Sequence, residues 1–203
     1  MKNYLKVFVT AAVLLFSVNS YALLPVSLGI KGGVNLSNVG GDLDHTSSKV
    51  GFNAGLIVDI DLPVTSLGIT TGIEFTTKGT KIDKKHLIDT DEDAKFNAMY
   101  LQLPVHANYK LSVAPATKVV FHAGPYFAYG IGGKTKIDGD KYDTFDDDGF
   151  KKFDFGLGIG AGVQIWKFGV DLGWDFGLTD VSDMSDVSVK NRNGYLSVSY
   201  RFM

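Results

Sequence analysis

Cysteine is absent from the 203 residues, so no disulfide staples this chain and no thiol is available for catalysis or metal binding. The formal net charge is only -2, which supplies no basic field for a nucleic acid. Proline is scarce, at 5 residues, while glycine reaches 24 and aromatics 12%. That balance, with few helix-capping signals, points away from a helical protein. Past the first residues, every apolar stretch is interrupted by charged or polar residues. A helix crossing a membrane needs about 20 apolar residues, so none is expected.

The first residues read as an address. Lys2 and Lys6 precede an apolar run from Val7 to Phe16, and Ser20-Tyr21-Ala22 sets small residues at the positions a signal peptidase requires. Polar Ser17, Asn19 and Ser20 end the run too early for an anchoring helix. Residues 1–22 are therefore expected to be a cleaved signal peptide and residues 23–203 the mature domain. An exported chain without an apolar helix is either a soluble protein or a membrane β-barrel, because only helices and closed barrels satisfy their backbone groups in lipid.

Alternation at period two, repeated eight times, carries the fold reading. In Phe153 to Ile165 the odd positions are Phe153, Phe155, Leu157, Ile159, Ala161, Val163 and Ile165; the even ones are Asp154, four glycines and Gln164. Successive side chains of a strand point to opposite faces. One face of each segment is thus apolar and the other small or polar. The other segments begin near Val26, Phe52, Leu67, Met99, Val119, Phe168 and Leu196. Long links (about 38–50, 79–96, 132–152 and 179–192) alternate with short ones at Leu62-Pro63-Val64, Ser112 to Thr117 and Trp166-Lys167. This is the pattern of an all-β, eight-stranded antiparallel up-and-down transmembrane barrel, with short periplasmic turns and long outer loops.

A soluble barrel would bury the apolar face instead. Volume decides between the two. The polar face is rich in glycine, which fits a narrow interior, and the large aromatics fit the outside. Aromatics also gather at the ends of the spans: Tyr109, Trp166, Phe168 and Phe202 at one, Phe52, Phe75, Tyr129, Phe153 and Phe176 at the other, as interfacial girdles require.

The chain resembles the small outer-membrane β-barrel proteins of Bacteroidota, the PorT-like or "outer membrane protein beta-barrel domain" family. The resemblance rests on ordered short matches. They are Gly29-Ile30-Lys31-Gly32-Gly33-Val34-Asn35-Leu36-Ser37, Thr77-Lys78-Gly79, Tyr100-Leu101-Gln102-Leu103-Pro104, Ala123-Gly124-Pro125-Tyr126, Phe153-Asp154-Phe155-Gly156, Gly177-Leu178-Thr179-Asp180 and the terminal Tyr200-Arg201-Phe202. It implies an outer-membrane barrel of eight strands and no catalytic residue; one namesake acts in protein secretion.

The inward face carries Lys31, Asp59, Asp61, Glu74, Lys78, His106, His122, Asp154, Asp171, Asp175 and Arg201. Lys31, Glu74, His106, His122, Asp171 and Arg201 are singled out as an interior polar cluster, with Arg201 expected to pair with Asp171. Eight strands leave an interior just wide enough for side chains to fill, so a packed plug of ion pairs is expected before an ion path. Gly156-Leu157-Gly158-Ile159-Gly160-Ala161 spells a dinucleotide fingerprint, but that motif needs a following helix and here a strand and turn follow. The acidic links at Asp138–Asp148, Asp89–Asp93 and Asp180–Asp186 lack the glycine and glutamate of an EF-hand and are expected to be solvated. Lys81, Lys84, Lys85 and His86 carry the charge to meet lipopolysaccharide phosphates, or simply face solvent. His45-Thr46-Ser47 offers a superficial Ser–His pair with no orienting acid fixed nearby.

The expected function is that of a non-enzymatic outer-membrane barrel serving structure, surface binding or secretion. Its expected partners are outer-membrane lipid and lipopolysaccharide, the barrel-assembly machinery and a secretion complex; no cofactor, metal or nucleic acid is expected. A narrow pore for small solutes and a lipid A-modifying enzyme are the alternatives.

Overall fold

The computed structural model describes residues 25–41, 46–63, 65–82, 94–137, 140–145, 151–181 and 189–202. The expected signal segment 1–22, His45, Lys84, Lys85, His86 and much of the acidic links, including Asp89–Asp93, Asp138, Asp146–Asp148, Asp183 and Asp186, lie outside these residues.

The described residues form nine strands: β1 (Val26–Gly41), β2 (Thr46–Asp61), β3 (Leu67–Ile82), β4 (Ala94–Ala114), β5 (Thr117–Ile137), β6 (Asp140–Asp143), β7 (Phe153–Ile165), β8 (Phe168–Gly177) and β9 (Val189–Arg201). All pairings are antiparallel. β1 pairs with both β2 and β9, and β4 pairs with β5, which closes eight strands into a barrel. Closure leaves no sheet edge unpaired in lipid. The short β6 folds back on the far end of β5, through pairs from Lys134↔Asp143 to Ile137↔Asp140, and stands outside the ring.

The eight alternating segments lie on the eight barrel strands. The strands run further than the alternation does: β4 and β5 each have 21 residues, and the long links expected at 38–50 and 79–96 are partly strand. Three short connections and the described ends of the chain gather at one end, called here the turn end. There Trp166 N donates to Ala116 O (2.8 Å), Asp61 N to Pro25 O (3.0 Å) and Phe202 N to Leu28 O (2.7 Å). Ala116 and Trp166 both hold φ of 58°, the left-handed conformation that lets two residues reverse the chain.

The outside is a belt of exposed apolar side chains that includes Ile30, Val34, Leu56, Leu157, Ile159, Leu172, Trp174 and Val198. Exposed Tyr109, Trp166, Phe168 and Phe202 rim the turn end, and exposed Phe52, Phe153 and Phe176 rim the other. Buried side chains are mainly polar, among them Asn35, Asn53, Asp59, Glu74, Lys78, Gln102, His106, Asp154 and Asp175. The interior is therefore a hydrogen-bonded lumen and the exterior is the apolar surface.

Candidate functional site

Glycine on β7 and β8 shapes the lumen. A Cβ at Gly156 would strike the Tyr126 ring, at Gly160 the His122 ring, at Gly162 the Asp171 carboxylate and at Gly173 the Tyr195 ring, each within 2.7 Å. The inner wall of these two strands is thus cut away where large side chains of β4, β5 and β9, with Asp171 of β8 itself, fill the barrel. This is why an interior of eight strands holds three tyrosines, two histidines and four lysine or arginine ion pairs.

Those side chains form three layers. Nearest the turn end, Arg201 Nε donates to Asp59 Oδ2 (2.6 Å) and its terminal nitrogen to Ser199 Oγ (3.0 Å). Thr70 Oγ1 donates to Asp59 Oδ1 (2.5 Å), Asn108 Nδ2 donates to Thr70 (2.8 Å), and Lys110 pairs with Asp61. The expected pairing of Arg201 with Asp171 is thus corrected: Arg201 binds Asp59. Asp171 stands opposite Ser197 on β9, four residues up the strand from Arg201, or roughly 13 Å at about 3.3 Å per residue. Arg201 instead pairs in register with Gly29 of β1, where a Cβ would meet the Tyr200 carbonyl oxygen at 2.5 Å, and its side chain reaches Asp59 on β2.

The middle layer holds the histidines. His122 Nε2 lies 3.0 and 3.2 Å from the two oxygens of Asp171, and His122 Nδ1 lies 3.0 Å from His106 Nδ1. Lys31 pairs with Glu74 and sits 5.2 Å from the Tyr195 ring centre. Gln102 Nε2 donates to Asp175 Oδ2 (3.1 Å).

The third layer closes the barrel. Lys78 Nζ, buried between the rings of Tyr126 (4.4 Å) and Tyr100 (5.3 Å), donates to Asp154 Oδ2 (3.1 Å). The same oxygen accepts from Asn191 Nδ2 (2.9 Å) and Tyr126 Oη (3.3 Å). Tyr100, Tyr126 and Asp154 are 0% exposed and Lys78 1%. Phe96, Ala98, Ala128 and Phe145 pack against the tyrosines. Along the neighbouring strands β9, β1, β2 and β3, Asn53 Nδ2 donates to Asn35 Oδ1 (2.6 Å), Asn35 Nδ2 to Thr76 Oγ1 (2.8 Å) and Ser197 Oγ to Asn53 Oδ1 (2.9 Å).

Between this layer and the turn end lies a cavity of about 90 Å³. All six residues of the cluster expected from sequence line it: Lys31, Glu74, His106, His122, Asp171 and Arg201. Gln102, Asp175, Tyr195 and Ser197 also line it. Of these, Gln102 and Tyr195 carry no charge to draw the eye in an alternating strand. The Asn35–Asn53–Ser197 network gives no stronger signal in the sequence, because small amides and hydroxyls on an inward face resemble filler.

Among the described residues, no three His, Cys, Asp or Glu side chains converge into a closed metal cage. Ser47 stands at the start of β2, exposed and remote from the lumen histidines, and its carbonyl accepts from Thr80 Oγ1 (3.2 Å).

The family model described as outer membrane protein beta-barrel domain matches residues 17–183. None of the curated proteins matches the chain. Among solved structures, Neisserial surface protein A is 14% identical with a TM-score of 0.51, covering 88% of this chain and 99% of its own. The outer membrane enzyme PagL is also 14% identical, with a TM-score of 0.53, over 85% of this chain and 98% of its own. At these identities the likeness is one of fold alone.

Proposed function

Since the chain belongs to the outer membrane protein beta-barrel domain family, we propose that it is a non-enzymatic, non-conducting barrel of the outer membrane that acts through its outer surface. The observation that carries this reading is the layer of Lys78, Tyr100, Tyr126 and Asp154. It is shut to solvent and hydrogen-bonded across the lumen, which supports a barrel without a continuous path for solutes. A barrel blocked in this way serves as a scaffold, and loops held on a rigid scaffold are where binding concentrates. In this reading the long links face outward and meet lipopolysaccharide or a secretion complex, and the barrel-assembly machinery inserts the chain after residues 1–22 are cleaved. The finer assignment, a PorT-like barrel of Bacteroidota, belongs to the same proposal and rests on the ordered motifs from Gly29 to Phe202.

The test is conductance in planar bilayers. The refolded barrel is expected to give no channel steps; regular steps would replace this reading with that of a narrow pore. Lipid A mass spectra with and without the protein address the enzymatic alternative, and identical spectra are expected. That alternative finds little support in the site, where no serine is hydrogen-bonded to either lumen histidine among the described residues.

A further inference from the structure

Four lumen ion pairs use their partners one to one, Lys31–Glu74, Lys78–Asp154, Lys110–Asp61 and Arg201–Asp59, and Asp171 is held by the His122 imidazole. Asp175 is the lumen carboxylate left over among the described residues. It is 2% exposed, and its Oδ1 has no hydrogen-bond partner there. A buried carboxylate stays charged only beside a compensating cation. Two more partnerless atoms lie near it, both on side chains more than nine-tenths buried: His106 Nε2 and Gln102 Oε1. A Cβ at Gly158 would lie 2.8 Å from His106 Nε2 and 2.8 Å from Asp175 Oδ1, so both atoms face the same hollow in β7.

The proton positions follow from the chain of contacts. Asp171 only accepts, so His122 Nε2 carries the proton between them. His122 Nδ1 is then an acceptor and His106 Nδ1 donates to it, which leaves a lone pair on His106 Nε2. All three partnerless atoms are acceptors. An imidazole whose other nitrogen donates to an oriented acceptor, itself fixed by a carboxylate, is the support that metal-binding histidines use.

We propose that His106 Nε2, Asp175 Oδ1 and Gln102 Oε1 form the floor of a binding site for a divalent cation of the zinc or copper class. One imidazole nitrogen with oxygen donors suits these ions. The site is open: water completes the coordination, and a cavity of about 90 Å³ has room for several molecules. His122 and Asp171 are positioning residues. The closed layer of Lys78 and Asp154 makes the site blind, so the cation enters from the turn end, where the Asp171 side chain is 31% exposed.

The test uses the full barrel refolded in detergent micelles, with Zn²⁺ titrated by calorimetry and Cu²⁺ followed by electron paramagnetic resonance. One site per barrel is expected, with coupling to a single imidazole nitrogen. His106→Ala and Asp175→Asn are each expected to weaken Zn²⁺ by more than the roughly 10- to 100-fold that loss of a supporting group costs. His122→Phe is expected to weaken it within that range while keeping the nitrogen coupling. Gly158→Ala, whose methyl meets only the ends of side chains, fills the hollow and is expected to abolish the site in a barrel that still shows its heat-dependent gel shift. Zn²⁺ binding unchanged in these variants would place the metal on the acidic loops and overturn the proposal. Absence of nitrogen coupling, or of any Zn²⁺ site in the wild type, would overturn it equally.

Discussion

Asp154→Ala removes the acceptor on which the closing layer converges. It leaves the Lys78 ammonium buried at 1% exposure between two tyrosine rings, and it strips Asn191 Nδ2 and Tyr126 Oη of a partner. At 3.1 Å and an effective dielectric of about 20, the lost attraction is roughly 5 kcal/mol. Breaking a buried pair by removing one member costs about 3–5 kcal/mol, and the two orphaned donors place Asp154→Ala at the upper end. Lys78→Met leaves the carboxylate accepting from Asn191 and Tyr126, so it is expected to cost less, about 3 kcal/mol. Lys78→Met with Asp154→Leu removes both charges and fills the space. Such exchanges are often neutral, so the double variant is expected within about 1 kcal/mol of the wild type.

Urea unfolding in lipid vesicles measures this directly. Trp166 and Trp174 are both exposed on the outside of the barrel, so their fluorescence reports release from lipid. With a slope of about 2 kcal/mol per molar, Asp154→Ala is expected to lower the midpoint by roughly 2 M. Single variants that each cost under about 1 kcal/mol, or a double variant that costs the sum of the two, would refute the claim that this pair holds the layer together.

Tyr126→Ala combined with Asp154→Ala opens the layer and is expected to turn a silent barrel into one with resolvable channel steps in planar bilayers. Leu172→Arg puts a charge on the outward belt between the girdles and is expected to cost about 2–4 kcal/mol in vesicles, whereas Val50→Arg, just beyond Phe52 at the loop end, is expected to cost about 0–1 kcal/mol; equal costs would argue that no membrane surrounds the belt. Ala116→Gly relieves the left-handed strain at φ 58° and is expected to stabilise by up to about 1 kcal/mol in the same assay. N-terminal sequencing of the protein from outer-membrane fractions is expected to begin at Leu23, and a chain still starting at Met1 would count against the cleaved signal.

What the sequence disclosed and what it hid divide along one physical line. Alternation is visible wherever one face of a strand meets lipid and the other the lumen, so the eight segments could be located and their inward residues named. Beyond the girdle that contrast disappears. In residues 79–82, and in 132–137 where Lys134 and Lys136 are both exposed, that contrast is lost and paired strand reads as loop. Partner choice inside the barrel was hidden for another reason. A place near the same end on neighbouring strands suggests Asp171 for Arg201, but register along β9 sets them four residues apart, and the Arg201 side chain reaches Asp59 on β2 beyond β1. The glycines held more information than their small size suggested. Three inward glycines of β7 mark where a particular side chain from another strand must fit: Tyr126 at Gly156, His106 at Gly158, His122 at Gly160. A run of alternating glycines facing the lumen is therefore the complement of a column of large groups on the opposing strands. Here it singles out Tyr126, His106 and His122, the side chains around which the closed layer and the histidine relay are built.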